Sequence, residues 1–331
     1  MARDLTAWLA ATQEEITDPE RRICDPHHHL WDHPNGRYLL EELQADTGAG
    51  HRVEQTVFLE CGSEYRDSGP EAIRPVGETA FVPSVAEASE TTGGARIAGI
   101  VSFADLCLGA DVAPVLDAHE KAAGGRFRGI RHASAWDASD EIHKTHTNPT
   151  PDLLSRPDFR EGFRVLTQRG HSFDAWLYHP QIAELTDLAR AFPEATIVLD
   201  HLGGPLGIGP YAGRRDEVRE AWRPAIRDIA RCENVTVKLG GVGMSIYGMG
   251  WRKRERPPGS EELAEAWRPE IEWCIEHFGP SRCMFESNFP VDKSGCSYTV
   301  LWNAFKRLTA TFSEDEKALM FHDTAARVYR L

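Results

Sequence analysis

The chain has 331 residues, long for one ordinary domain and short for three. With 41% hydrophobic and 27% charged residues it can build a large core, which excludes disordered, collagen-like and low-complexity chains. Its 37 Lys and Arg against 51 Asp and Glu leave a net charge of −14, so neither nucleic acid nor an anionic membrane is an expected partner, and a bound anion needs a local basic site.

The stretch 5–16 precedes the first strand and is expected to pack on the bottom of the fold or to form a subunit contact in a homo-oligomer. Short β-branched and aromatic runs then recur at 22–26, 55–61, 97–103, 127–132, 172–177, 196–200, 235–239 and 283–286, each followed by a longer amphipathic stretch. Their starts lie roughly 25 to 50 residues apart, the span of a strand, a helix and two loops. Helical spacing is clear at 181–192, between Pro180 and Pro193, and at 216–231, 261–278, 298–311 and 314–329. Ser260 and Ser313 read as N-caps ahead of acidic first turns. No Gly/Ser linker or composition shift divides 1–331, so one domain is expected, with 1–21 as an N-terminal extension. Eight βα units favour a closed (β/α)8 TIM barrel, an α/β fold, over an open doubly wound sheet. Long βα loops are expected at about 133–157, 202–215 and 240–259.

No window approaches the roughly 18 apolar residues of a membrane span, and Asp4, Gln13, Glu14 and Glu15 interrupt the N-terminal apolar stretch, so a cytoplasmic address is expected. The seven cysteines form no CxxC pair, which points to buried thiols and away from a disulfide framework or zinc ribbon.

In a barrel, chemistry collects at the C-terminal ends of the strands. The first strand runs into Asp25-Pro26-His27-His28-His29-Leu30-Trp31-Asp32. On an extended chain Asp25, His27 and His29 share one face and His28 takes the other. Two imidazoles about 7 Å apart can converge on one ion or one substrate oxygen. The sixth strand ends in Asp200-His201-Leu202-Gly203-Gly204-Pro205, which places His201 at the mouth as a third ligand, a general base or an electrophile. On the fifth, Asp174, Trp176 and Tyr178 share a face, with His179 already in the loop. Arg128 and Arg131 end the fourth strand, and a guanidinium there can take a planar carboxylate through two parallel hydrogen bonds. Glu60 and Lys238 complete a polar ring or form structural ion pairs. The eighth strand reads Met284-Phe285-Glu286-Ser287-Asn288-Phe289-Pro290-Val291-Asp292.

Together, Asp-x-His-x-His at 25–29, Asp-His-Leu-Gly-x-Pro at 200–205, Met-Phe-x-Ser-x-x-Pro-Val at 284–291 and Ala-x-Arg-Val-Tyr at 325–329 resemble the amidohydrolase-2 branch of the amidohydrolase superfamily, over about 22–330. The resemblance implies a TIM-barrel hydrolase in which His27 and His29 bind zinc or another divalent metal, or position the carbonyl directly as in the metal-free lactonases of this branch. It makes His201 the sixth-strand histidine and Arg131 the carboxylate clamp. Trp31, Glu60, Trp176 and Tyr178 are expected to line the substrate. The family places Asp on the eighth strand where this chain has Asn288. An amide cannot deprotonate water, so Asn288 with Asp292 is expected to position it, and Glu286 and Asp292 are the nearest replacements for the missing carboxylate.

No Gly-x-Ser-x-Gly elbow or phosphate loop is present, and His119-Glu120 lacks a zincin's second histidine. The expected function is hydrolysis of a lactone or related cyclic ester, carried by a small anionic molecule. The alternatives are metal-dependent decarboxylation of an aromatic acid, against which Asn288 counts, and a binding barrel that has lost its base.

Overall fold

All eight apolar runs form strands in the computed structural model, which describes residues 4–34 and 36–331. They are β1 (Arg22–His28), β2 (Arg52–Leu59), β3 (Arg96–Ser102), β4 (Phe127–Ile130), β5 (Ser172–Ala175), β6 (Thr196–Leu199), β7 (Val235–Leu239) and β8 (Cys283–Phe285). Each pairs in parallel with its neighbour in chain order. The ring closes just past the last strand, where His28 and Phe289 form a parallel bridge, His29 N donates to Phe289 O at 2.8 Å and Asn288 N donates to His27 O at 2.9 Å. Helices fill the connections, giving the (β/α)8 TIM barrel.

Alternation along the strands sorts the core into two layers. Phe58, Ile97, Ile100, Phe173, Ile197, Val235 and Val237 point outward into the helices. Cys24, Val57, Leu59, Val101, Val198 and Met284 point inward and pack with Ala325, Val328 and Tyr329 of the last turn. This packing is at the floor, because Arg330 Nη1 donates to the Gly170 carbonyl at 2.7 Å, just ahead of β5. With the floor sealed, access to the interior is from the C-terminal ends.

Three expectations need correction. The segment 314–329 is not one α-helix: Glu314–Ala318 and Thr324–Val328 flank a π-helical turn, Leu319–Asp323. The wider turn lets Met320 and Phe321 pack in the outer layer while Ala325 and Val328 reach the inner one. Ser313 caps this segment as expected, but Ser260 is itself the first residue of Ser260–Phe278, and its N–H is accepted by Glu14 Oε1 at 2.6 Å. Finally, the N-terminal segment does not cover the barrel bottom. Trp8 Nε1 donates to Arg254 O at 3.0 Å and Thr12 Oγ1 to Pro257 O at 2.8 Å, both in the loop after β7. The chain then descends the outside, where Asn303 Oδ1 accepts from Thr17 N and Lys306 Nζ donates to Asp18 O, and enters β1 from below.

Candidate active site

The first strand does not keep strict alternation. Its register with β2 shifts between Asp25, which pairs Thr56, and His28, which pairs Phe58, so one extra residue of β1 is accommodated there. Asp25 therefore does not share a face with His27 and His29, contrary to the parity expectation. It turns outward, accepting from Ser287 N at 2.9 Å and Tyr298 Oη at 2.9 Å. His28 also faces out, 3.0 Å from Thr56 Oγ1. His27 swings into the mouth.

Glu286 is the centre of the site. One carboxylate oxygen lies 2.6 Å from His27 Nδ1 and the other 2.6 Å from His201 Nδ1. His201 donates through Nδ1 to Oε1 and keeps an Nε2 lone pair, whereas His27 Nδ1 also stands 3.3 Å from Lys238 Nζ. The two rings are 4.5 Å apart, and His29 meets His27 edge-on at 5.0 Å. His29 Nδ1 donates to Leu59 O at 2.9 Å. Burial, with Lys238 adding to it, holds His27 well below the usual imidazole range; burial and then Arg131 bring His29 down to about 3.

His201 reaches this position through an unusual backbone. His201 and Leu202 have φ of 53° and 57°, followed by Gly203 and Gly204 at 70° and 56°. Two successive left-handed residues with side chains, His201 and Leu202, are costly. Tyr247 Oη holds the His201 carbonyl at 2.6 Å and Trp222 Nε1 the Leu202 carbonyl at 2.7 Å. Gly241 lets the ring fit, since a Cβ there would fall 2.2 Å from His201 Nδ1.

Below the histidines is a buried charge network. Lys238 Nζ lies 2.8 Å from Asp174, 3.0 Å from Asp200 and 3.9 Å from Glu286. Burial would lower this ammonium, but Asp174 and Asp200 outweigh it and keep it protonated. Arg131 donates from Nε to Glu60 Oε1 at 2.7 Å, from Nη2 to the Glu60 carbonyl, and from Nη1 toward His27 Nε2 at 3.2 Å. Its fork is thus turned onto the protein. Glu60, against the upward push of burial, is held down to about 2 by Arg131 and His146.

Asn288, with φ of 54°, donates its amide to Asp292 Oδ1 at 2.8 Å, and Gly243 N donates to Asp292 Oδ2 at 2.7 Å. Glu286, rather than Asn288 or Asp292, faces the two histidines. Burial pushes Asp292 up to about 7, although Gly243, His201 and Asn288 oppose it. Trp31 stacks on His29 at 5.7 Å and Trp176 meets His201 edge-on at 4.8 Å, so both half-buried indoles wall the mouth. Tyr178 is a support for the loop after β4, donating Oη to His143 O at 2.6 Å. A cleft of about 430 Å³ between the loops after β6, β7 and β8 is lined by Ile208, Gly243, Met244 and Ser294.

Among the described residues, His27, His201 and Glu286 form a set whose ligand atoms lie within 4.8 Å of one another. His29, the expected partner of His27, is outside it. The set fits a cation on two counts. Among the described residues, the fixed cations facing Glu60, Asp174, Asp200 and Glu286 are Arg131 and Lys238. Glu286 Oε2 and both Asp200 oxygens are buried without a directed hydrogen bond.

Sequence reasoning missed His146, which sits 2.8 Å from Glu60 Oε2. It also gave no role to Tyr329, whose hydroxyl donates to Asp174 at 2.5 Å from below. The terminal motif held a signal for Tyr329; nothing in the 133–157 loop marked His146.

The amidohydrolase family model matches residues 24–331. The chain belongs to the amidohydrolase family. It is 35% identical to the uncharacterized protein y4mH of Sinorhizobium fredii, over 93% of this chain and 98% of that one. An L-fucono-1,5-lactonase of Burkholderia multivorans is 26% identical over 93% of this chain and 95% of its own. An amidohydrolase structure from Burkholderia multivorans with bound zinc aligns with a TM-score of 0.73 and 23% identity, covering 93% of this chain and 99% of that one.

Proposed function

We propose that this amidohydrolase opens a lactone or a related cyclic ester by adding water to its carbonyl. The observation that carries the reading is the Glu286 carboxylate 2.6 Å from both His27 and His201, with a second buried carboxylate, Asp292, held by Asn288 and Gly243. The likeness to L-fucono-1,5-lactonase supports the same reaction class.

His27, His201 and Glu286 would hold a divalent metal, for which we propose zinc. Such an ion supplies Lewis-acid polarisation of a carbonyl and a lowered pKa for bound water. The chain's own residues do the rest. Glu286 holds His201 through Nδ1, which leaves its Nε2 available. Asp292, neither fully acid nor fully base near pH 7, takes the proton of the attacking water and returns it to the ring oxygen as the C–O bond breaks. Asn288 orients Asp292 and cannot replace it. Trp31 and Trp176 pack the ring and exclude water from its faces.

Titration of acid released from a panel of five- and six-membered lactones, with CO2 release from hydroxylated aromatic acids measured in parallel, tests this. Ring opening is expected, with His27→Ala, His201→Ala and Glu286→Gln each lowering kcat/KM by about 100-fold or more. Chelation is expected to lower it as well. CO2 release without ring opening, or wild-type turnover by His201→Ala, overturns the assignment.

A further inference from the structure

The rim of the site carries one side chain that the mechanism does not use. His146 lies in the connection after β4, which has no helix or strand from Arg131 to Asp152. Long irregular loops in a compact barrel are commonly binding walls. This one is tied on both sides of His146: Tyr178 Oη holds the His143 carbonyl at 2.6 Å and Thr147 Oγ1 donates to Ala133 O at 2.6 Å. Between these ties the imidazole leans inward, edge-on to Phe103 at 6.2 Å, with Nε2 2.8 Å from Glu60 Oε2. Its side chain is 38% exposed while that of Glu60 is 0% exposed, so the pair straddles the border between solvent and the buried network.

We propose that Glu60 and His146 form a subsite for a hydroxyl group of the substrate, with His146 as a specificity-determining residue; the substrate being a lactone rests on the function proposed above. Glu60 stays ionised and its Oε2 is buried without a directed hydrogen bond, although His146 Nε2, which carries a hydrogen against that charge, stands 2.8 Å away. A group that enters between them has to donate to a carboxylate and accept from an imidazole N–H. A hydroxyl does both. A carboxylate can only accept, and would set its charge against Glu60. Nor does Arg131 offer a carboxylate an open fork, because Nε and Nη2 are held by Glu60 and Nη1 points to His27. The substrate is thus read at this edge as a hydroxylated ring, and the anionic substrate expected from Arg131 gives way to a neutral one. His146 rotates outward by the width of one oxygen to admit it, while the loop stays tied at His143 and Thr147.

Calorimetric binding of a polyhydroxylated six-membered lactam, a stable isostere of the lactone, is compared with its single-deoxy analogues and with a carboxylated lactam. Wild type, His146→Ala and His146→Gln are used, each checked for an unchanged unfolding midpoint. Wild type is expected to bind the fully hydroxylated lactam about 10-fold or more tighter than one of the deoxy analogues, since the bond reaches an ionised partner. His146→Ala collapses that ratio, and His146→Gln, which keeps an N–H donor, restores most of it. A ratio equal in wild type and His146→Ala, tighter binding of the carboxylated lactam by wild type, or no binding of any lactam overturns the proposal. Discrimination among lactams without hydrolysis of any lactone overturns the hydrolase reading and leaves the subsite standing.

Discussion

At Lys238 an ammonium with no exposure is held between Asp174 and Asp200, and its charge is what permits those two carboxylates to stay in the barrel interior. Removing one partner of a buried ion cluster leaves the others uncompensated, which costs more than the cluster contributes net. Lys238→Met is therefore expected to destabilise the fold by about 3 to 5 kcal/mol in denaturant unfolding. Adding Asp174→Asn should recover part of that loss; an unchanged midpoint in the single variant would show that the carboxylates are solvated. The sequence made much of this site legible, because His27, His29, His201 and Lys238 all fall at or near strand ends, where chemistry on a barrel collects. Parity failed at Asp25, since an extra residue in β1 is a matter of pairing with β2 and leaves no mark in β1 itself. Glu286 was named only as a substitute for Asn288. Local sequence cannot tell which of two carboxylates a left-handed turn at Asn288 will bring to the histidines.

At the scale of elements, the N-terminal segment works as a clasp on the catalytic-end loop after β7. Trp8, 2% exposed, holds the Arg254 carbonyl by its indole N–H, and the Arg252 guanidinium lies 4.8 Å over its ring. That loop also supplies Gly243 to Asp292 and Tyr247 to the His201 carbonyl. Loosening the clasp should reach the site through the loop. Trp8→Ala is expected to cost about 3 to 5 kcal/mol of stability and to lower turnover, while Trp8→Phe, which keeps most of the packing, costs about 1 kcal/mol. Thermal unfolding and lactone turnover on the two variants check this, and equal midpoints would rule the clasp out. That the stretch 5–16 packs against the rest of the chain could be read from the sequence, but its docking place could not, because an apolar face reports that it is buried and not against what. The π turn at Leu319–Asp323 escaped for a related reason: one extra residue scarcely disturbs a helical period in sequence, yet it moves the following residues into the inner layer.

For the whole molecule, eight βα periods were enough to count the strands, whereas closure depends on the single bridge between His28 and Phe289, a contact between the two ends of the barrel sequence. The same burial that closes the barrel sets its response to acid. His28, His51 and His119 are brought down by burial to about 4, from an ordinary value of 6.5. A folded-state pKa below the unfolded one means that the unfolded chain takes up the proton first. Stability from the neutral ring is complete above pH 6.5 and is lost as pH falls toward 4. Glu78 and Asp25, pushed up by burial to about 7 and about 6, act in the opposite sense, losing stability as pH rises through that range. The total curve therefore mixes signs, and a difference between variants isolates one group. His119, 2.8 Å from Thr79 Oγ1 and stacked 5.7 Å from Phe127, lies well away from the histidines of the mouth. His119→Gln removes a titrating ring without touching the site. It is expected to be less stable than wild type at pH 7.5, with the gap narrowing by about 2 kcal/mol at pH 4.5 as wild type alone loses the His119 contribution. A gap that stays constant or widens between those pH values, measured by urea unfolding, would show that His119 accepts its proton in the folded barrel.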